Sequence, residues 1–307
     1  MSRKLRLGTR ASQLATTQST WVARKLEAAH PGTKIELVEI RTTGDADQKS
    51  AIAEFTEVGV FTKQLEAALL DGRIDIAVHS LKDLPTVLPE GLSLAAVPER
   101  EDPSDVLVTA LGKNLAELPS GTVIGTGSPR RRGQIAARYP GLNFCELRGN
   151  IDTRIAKTQS GDPPAAILAR AGIARVGRLS DVQETLSPDV LLPAPGQGAL
   201  GIETRSEDHE TTAFAAVIEC RVTRAATHAE RELLRILEGG CRLPLGALAT
   251  ADGEKLTLRA VLAAPDGSVR IEKSADGTID HAGELGAQLA EAIQRDPTGR
   301  ELLDKLR

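Results

Sequence analysis

Three short stretches hold the residue types and spacings that could do chemistry. The first is ILEGGCRLPLG, residues 236–246, which sets Cys241 behind two glycines and ahead of Arg-Leu-Pro. A cysteine there is buried filler, a ligand, a nucleophile or a point of covalent attachment. The apolar positions Ala226, Ala229, Leu233, Ile236 and Leu237 read as a helix ending at Gly239-Gly240, so Cys241 falls on the loop beyond it. A buried structural thiol is the default for a lone cysteine. Two neighbours without side chains tilt the reading towards an accessible thiol. His79 and His228 are the histidines considered for a dyad, and no spacing ties either one to it.

The second stretch is HSLKDLPT, residues 79–86, behind the apolar run IDIAV. Lys82 and Asp83 are adjacent, and their plain reading is an ion pair or a turn-forming Asp ahead of Leu-Pro. The sharper reading is a carboxylate at the end of a sheet strand, where it stabilises a developing cation or moves protons. The third is GTGSPRRRGQ, residues 125–134, a strand and glycine-rich turn running into a helix. Free N–H groups and the helix dipole favour an anion there, and Arg130, Arg131 and Arg132 offer guanidinium forks suited to carboxylate or phosphate. No Walker lysine follows, and a solvated basic face is the alternative. Arg148 and Arg154 in LRGNIDTRIAK, Arg175 in ARAGIARVG, and Arg10 with Ser12 in GTRAS repeat the device at other strand ends. Together they point to a ligand with many acidic groups.

The elements that must position these residues alternate. KLRLGT is a strand running into a helix over Ser12–Ala29; KIELVEIRT, IDIAVHSL and LSLAAV are strands, with FTKQLEAALLDG helical between them. A second run starts near DVLVTA and continues through TVIGTGSP, a helix over Arg130–Arg138, NFCELRG, a helix over Ile151–Gln159, and AAILARAG. This is βαβ logic, with mostly parallel sheets covered by helices and ligands at their strand ends. LLPAPGQGALGIETR leads to a strand that returns to the first sheet. From about Arg221 the texture changes to a helix, the strand LGALAT, the hairpin KLTLRAVLAAPDGSVRIEKSA and closing helices. The expected fold class is therefore α/β, in two α/β domains plus a small C-terminal α+β domain. The boundaries read as 1–99 with 199–217, 104–194, and 221–307.

Bulk properties exclude several classes. The chain has 307 residues, is 41% apolar and 26% charged, and carries a net charge of −4. With one Trp, one Tyr and four Phe it lacks the stacking rings of a single-strand nucleic-acid binder, so the arginines read as pockets for small anions. No run approaches a membrane span, and MSRKLRLGTRASQLATTQ lacks the apolar core of an export signal. Cys145, Cys220 and Cys241 are odd in number and without a C-x-x-C pair. That argues against a disulfide framework or a metal site and for a cytoplasmic protein.

The stretch ERELLRILEGGCRLPLG resembles the cofactor-attachment signature of the porphobilinogen deaminase family, also called hydroxymethylbilane synthases. LRLGTRASQLA, FTKQLEAALLDGRIDIAVHSLKDLPTVLP, GTGSPRRRGQ, LRGNIDTR and PAPGQGALGIE extend the resemblance, in order, over nearly the whole chain. It implies two domains built like type II periplasmic binding proteins with a cleft between them, and a third carrying the cysteine. The implied reaction is head-to-tail condensation of four porphobilinogen molecules into linear hydroxymethylbilane with loss of ammonia, in porphyrin and haem biosynthesis. It also implies a dipyrromethane primer joined to Cys241 by a thioether, which makes the thiol an anchor. Asp83 takes the catalytic role, and Lys82 helps to hold acidic side chains. Arg10, Arg130, Arg131, Arg148, Arg154 and Arg175 bind carboxylates, and Ser12, Ser80, Thr126 and Ser128 donate supporting hydrogen bonds. Phe61 lies near the cofactor rings, Gln197 at a hinge or cleft position, and Asn150 among the binding residues. The family resemblance favours a monomer, with no nucleic-acid or membrane partner. Val58 stands where relatives place a lysine, and Asp152 where they often have glycine. The competing reading is a non-catalytic binding module for an acidic small molecule, which needs neither Asp83 nor Cys241.

Overall fold

A computed structural model describes residues 4–40, 62–237 and 243–306. Val58, Phe61 and Cys241 lie outside the described residues. In chain order the first elements are β1 (Lys4–Thr9), α1 (Gln13–Ala29), β2 (Lys34–Glu39), α2 (Lys63–Leu70), β3 (Ile76–Ser80) and β4 (Leu92–Ala96). There follow β5 (Asp105–Thr109), β6 (Val123–Gly125), α3 (Pro129–Arg138), β7 (Asn143–Cys145), α4 (Ile151–Gln159), β8 (Ala165–Ala169), α5 (Arg170–Arg175) and the two-residue edge strand β9 (Glu184–Thr185). The last are β10 (Leu200–Arg205), α6 (His209–Ala216), α7 (Arg221–Ile236), β11 (Leu245–Asp252), β12 (Lys255–Ala263), β13 (Arg270–Thr278), α8 (Ala282–Arg295) and α9 (Pro297–Leu306).

These elements fall into two compact units, residues 1–100 with 199–224, and 101–198 with 225–307. The first holds a five-stranded sheet of order β2-β1-β3-β10-β4; the second holds one of order β7-β6-β8-β5-β9 and the three-stranded antiparallel sheet β11-β12-β13. In the first sheet β2, β1 and β3 run parallel, and β10 is antiparallel to both of its neighbours. In the second β7, β6 and β8 run parallel, and β5 is antiparallel to both of its neighbours. The same plan thus occurs twice, and both times the exception is the strand that enters from the other unit. Such a strand is not bound by the right-handed crossover that keeps βαβ neighbours parallel. The protein is α/β, with two five-stranded sheets of one plan and a small three-stranded C-terminal sheet with its helices.

Alternation along buried strands sets which helix covers which face. In β3, Ile76 and Val78 pack with Val22 and Leu26 of α1 and with Phe214 of α6. Ala77, on the opposite face, packs with Leu65, Ala68 and Leu69 of α2. In β5, Leu107 lies with Ile135 of α3, while Val106 and Val108 lie with Ile155 of α4 and Ile173 of α5. Truncating one of the fully buried leucines or isoleucines among these to alanine costs about 2–5 kcal/mol. The third core joins α7, α8 and α9 to one face of β11–β13 through Leu233, Leu258, Leu262, Leu289 and Leu302. Sequence reading passed over α6; Asp208 caps it, accepting from Thr211 N at 3.0 Å.

Candidate active site

In each α/β unit the expected residues follow the carboxyl ends of parallel strands. β1 leads to Arg10 and Ser12, and β3 to Ser80, Lys82 and Asp83. Because β1 and β3 are parallel neighbours, these five share one edge of the first sheet. In the second unit β6 leads to Thr126, Ser128, Arg130 and Arg131, β7 to Arg148 and Asn150, and β8 to α5 with Arg175. The parallel order brings these to one edge as well, where open α/β sheets bind ligands.

The Asp83 turn is held from both sides. Leu81 and Leu84 are buried in a cluster with Val97 and Ala199. Leu81 N donates to Ala199 O at 3.0 Å, and Leu84 N to Leu81 O at 3.3 Å. With both leucines turned inward, Lys82 is half-buried and Asp83 is exposed. Ser12 caps α1, accepting from Ala15 N at 3.3 Å. Below the turn, His79 at the end of β3 meets Glu203 of β10 at 3.0 Å, both buried.

In the second unit the hydroxyls and the cap residues are pre-set. Ser128 caps α3 and accepts from Arg131 N at 3.4 Å; Thr126 Oγ1 accepts from Ser128 N at 3.2 Å. As acceptors in these bonds, both hydroxyls keep a proton to donate. Asn150 caps α4 through Thr153 N at 2.8 Å. Gly149 before it has φ +119°, and a Cβ there would meet Thr153 Cγ2 at 2.8 Å.

The arginines divide into two groups. Successive helical residues diverge by about 100°, so Arg132 faces outward over the Phe144 ring, 6.0 Å from its centroid, while Arg130 and Arg131 turn inward. Their side chains are 5% and 9% exposed and pair with the fully buried Asp105, each at 2.7 Å. Arg130 also donates to Leu192 O at 2.6 Å, and Arg131 to Ile167 O at 2.9 Å. Burial works against the Asp105 carboxylate, but the two guanidiniums outweigh it and hold its pKa well below the usual range. Burial lowers the pKa of Arg130.

Arg154 and Arg175 differ. Each is half-buried, and each gives its hydrogen bond to a backbone oxygen: Arg154 to Gly149 O at 2.7 Å, Arg175 to Gly198 O at 2.6 Å. Burial lowers both pKa values; nearby Arg131 lowers that of Arg154 further, and Glu101 partly restores that of Arg175. Arg148 is 72% exposed and pairs with Glu146 at 2.7 Å. Asp152, flagged as an unusual acid beside the arginines, is engaged by Arg178 at 3.0 Å.

Asp105 and Glu230 are among the buried carboxylates that escaped sequence reading. Asp105 opens the apolar run DVLVT, and a charge at the head of a fully buried strand was the available signal. Glu230 lies among the apolar positions of α7, where it accepts from Gly196 N at 2.7 Å and Ala249 N at 2.9 Å. Gln197, 1% exposed, donates to Pro103 O at 2.7 Å and Asp105 Oδ1 at 3.0 Å.

Strand-end arginines, hydroxyls and an exposed carboxylate thus lie on two copies of one α/β plan. The comparisons with known proteins give the family. The porphobilinogen deaminase model described as the dipyromethane cofactor-binding domain matches residues 5–213, and that of the C-terminal domain matches residues 225–295. The porphobilinogen deaminase of Pelotomaculum thermopropionicum is 44% identical over 307 residues, 100% of this chain and 98% of the relative. That of Desulforudis audaxviator is 45% identical over 307 residues, 100% of this chain and 99% of the relative. The chain belongs to the porphobilinogen deaminase family, and so to the transferases of tetrapyrrole biosynthesis that use a dipyrromethane cofactor. Among solved structures, the methionine-binding protein MetQ has a TM-score of 0.43 at 13% identity, covering 70% of this chain and 89% of its own.

The described residues fit such a cofactor. Its acetate and propionate groups need cationic donors, and Arg154 and Arg175 are partly desolvated cations whose hydrogen bonds end on backbone oxygens.

Proposed function

We propose that this protein condenses four porphobilinogen molecules head-to-tail into hydroxymethylbilane, releasing ammonia at each addition. Cys241 is the anchor of the dipyrromethane, which supplies, when bound, the terminal pyrrole carbon on which the chain grows. The observation that carries the reading is the gathering of Arg154, Arg175, Thr126 and Ser128 at one sheet edge and of Asp83 with Lys82 at another. Both units bind acid groups, and the first also does the chemistry.

Asp83, exposed on a turn held by two buried leucines, stabilises positive charge on the substrate pyrrole as ammonia departs. Lys82 orients a substrate acid group. Arg148, exposed at the surface, meets carboxylates first, and Arg154 and Arg175 hold them in a drier setting, where each hydrogen bond is stronger. The deaminated pyrrole is a soft carbon electrophile, which suits a thiolate at position 241, and the glycines beside the sulfur leave room for a bulky chain. A three-domain division at 1–99 with 199–217, 104–194 and 221–307 agrees with three separate sheets. The working form is a cytoplasmic monomer with no nucleic-acid or membrane partner. Among the described residues no helix is long and apolar enough to cross a membrane.

The test is Asp83→Asn. The variant is expected to bind porphobilinogen but lose turnover by about 10²–10³-fold, the scale for removing one electrostatic stabiliser. Turnover near that of the unaltered protein would reject the role given to Asp83.

A further inference from the structure

Arg130 and Arg131 are motif arginines, yet in the structure they face an acid of the protein's own. Asp105 is fully buried, with one carboxylate oxygen against Arg130 at 2.7 Å and the other taking Arg131 Nη2 at 2.7 Å and Nε at 3.1 Å. The second oxygen also accepts from Gln197 at 3.0 Å. Two cations against one anion leave one net positive charge at this corner of the second unit. Asp105 stands just after the chain enters that unit at 101, and Gln197 just before it leaves at 198. The two passages are joined again by Glu101 N donating to Gly198 O at 3.3 Å. A Cβ at Gly198, whose φ is +88°, would lie 2.3 Å from Glu101 O, so the approach requires glycine.

We propose that Asp105 is a positioning residue for the condensation. It is a resident carboxylate that neutralises one of the two arginine charges, so that Arg130 and Arg131 hold an acid group of the growing chain lightly enough to pass it on. The proposal rests on the reaction assigned above. Each added pyrrole brings two more acid groups, and a product that must leave is poorly served by two uncompensated buried guanidiniums. With Asp105 in place, an incoming carboxylate competes with an acid already bound through three arginine nitrogens. Without it, the pair becomes a strong anion trap. The same carboxylate also ties the arginines to Gln197, so a change in their occupancy reaches both chain passages.

The experiment compares the full-length protein with Asp105→Asn, an isostere without the charge. The first readout needs no turnover: the melting temperature in sodium propionate, against sodium chloride at equal ionic strength. The variant is expected to melt lower than the parent in chloride and to gain more stability from propionate than the parent does. The second readout is kinetic. KM for porphobilinogen and kcat are both expected to fall by about tenfold, the equivalent of one charge-assisted hydrogen bond, with longer oligopyrroles accumulating on the protein. A variant that melts low without propionate rescue, or that stays unfolded in propionate, makes Asp105 a purely structural ion pair and overturns the proposal. So does a kcat and KM pair equal to the parent's. A parent that carries no oligopyrrole and consumes no porphobilinogen refutes the assigned reaction instead, and the melting comparison still decides the role of Asp105.

Discussion

On the proposed function, Arg154 serves the ligand at the expense of the fold. Its guanidinium is partly desolvated, its pKa is lowered by burial and by Arg131, and its hydrogen bond goes to Gly149 O. A cation in that position adds little to folding and holds donors ready for an acid. Arg154→Leu is therefore expected to leave the melting temperature unchanged or raise it, while weakening binding of porphobilinogen oligomers by about 10–100-fold, the loss of one charge-assisted contact. A thermal melt beside a single-turnover elongation assay checks both halves. A lower melting temperature with normal elongation would make Arg154 a structural residue. Arg148 gives the exposed counterpart. Its pair with Glu146 is solvent-screened and worth at most about 1 kcal/mol, so any elongation defect in Arg148→Leu reports on ligand and not on folding.

At the scale of elements, the site depends on turns that deliver each strand end into a helix. Gly149 is the sharpest case, with φ +119° between β7 and α4 and Thr153 close against it. Gly149→Ala forces an unfavourable backbone and a contact with Thr153, costing about 1–3 kcal/mol. Its expected signature is a lowered melting temperature together with impaired elongation, since Arg148 and Arg154 flank the turn; an unchanged melt would show that the turn relaxes freely. Much of this was legible beforehand. Apolar spacing gave α1, because one-sided burial writes a period into sequence; an unbroken apolar run gave β3, which is covered on both faces; and the Ser-Pro and Gly-Asn pairs marked the starts of α3 and α4. The pairing of Arg130 and Arg131 with Asp105 was not legible, because Asp105 lies 25 residues before Arg130 and only the antiparallel placement of β5 beside β8 brings them together. Three arginines in a row look alike in sequence; helical rotation sends two inward and one outward. Nor does any local pattern announce that Glu230, on an otherwise apolar face, satisfies Gly196 N and Ala249 N.

For the whole molecule, one α/β plan is used twice, and the chain passes from the first unit to the second and back before adding the C-terminal sheet. The family assignment rests on 44–45% identity over the full length, and the roles proposed for the side chains rest on where they lie at each sheet edge. A chain of net charge −4 can still collect arginines where a polyanion must be held, because fields at close range are set by local charge and burial more than by the total. The central claim is that Cys241 carries a dipyrromethane through a thioether. Intact mass spectrometry of the denatured, purified protein tests it most directly. The account predicts a mass above that of the polypeptide by one dipyrromethane, and the bare polypeptide mass for Cys241→Ser. Active parent protein at its bare mass, or a serine variant that makes hydroxymethylbilane at the parent's rate, would contradict it.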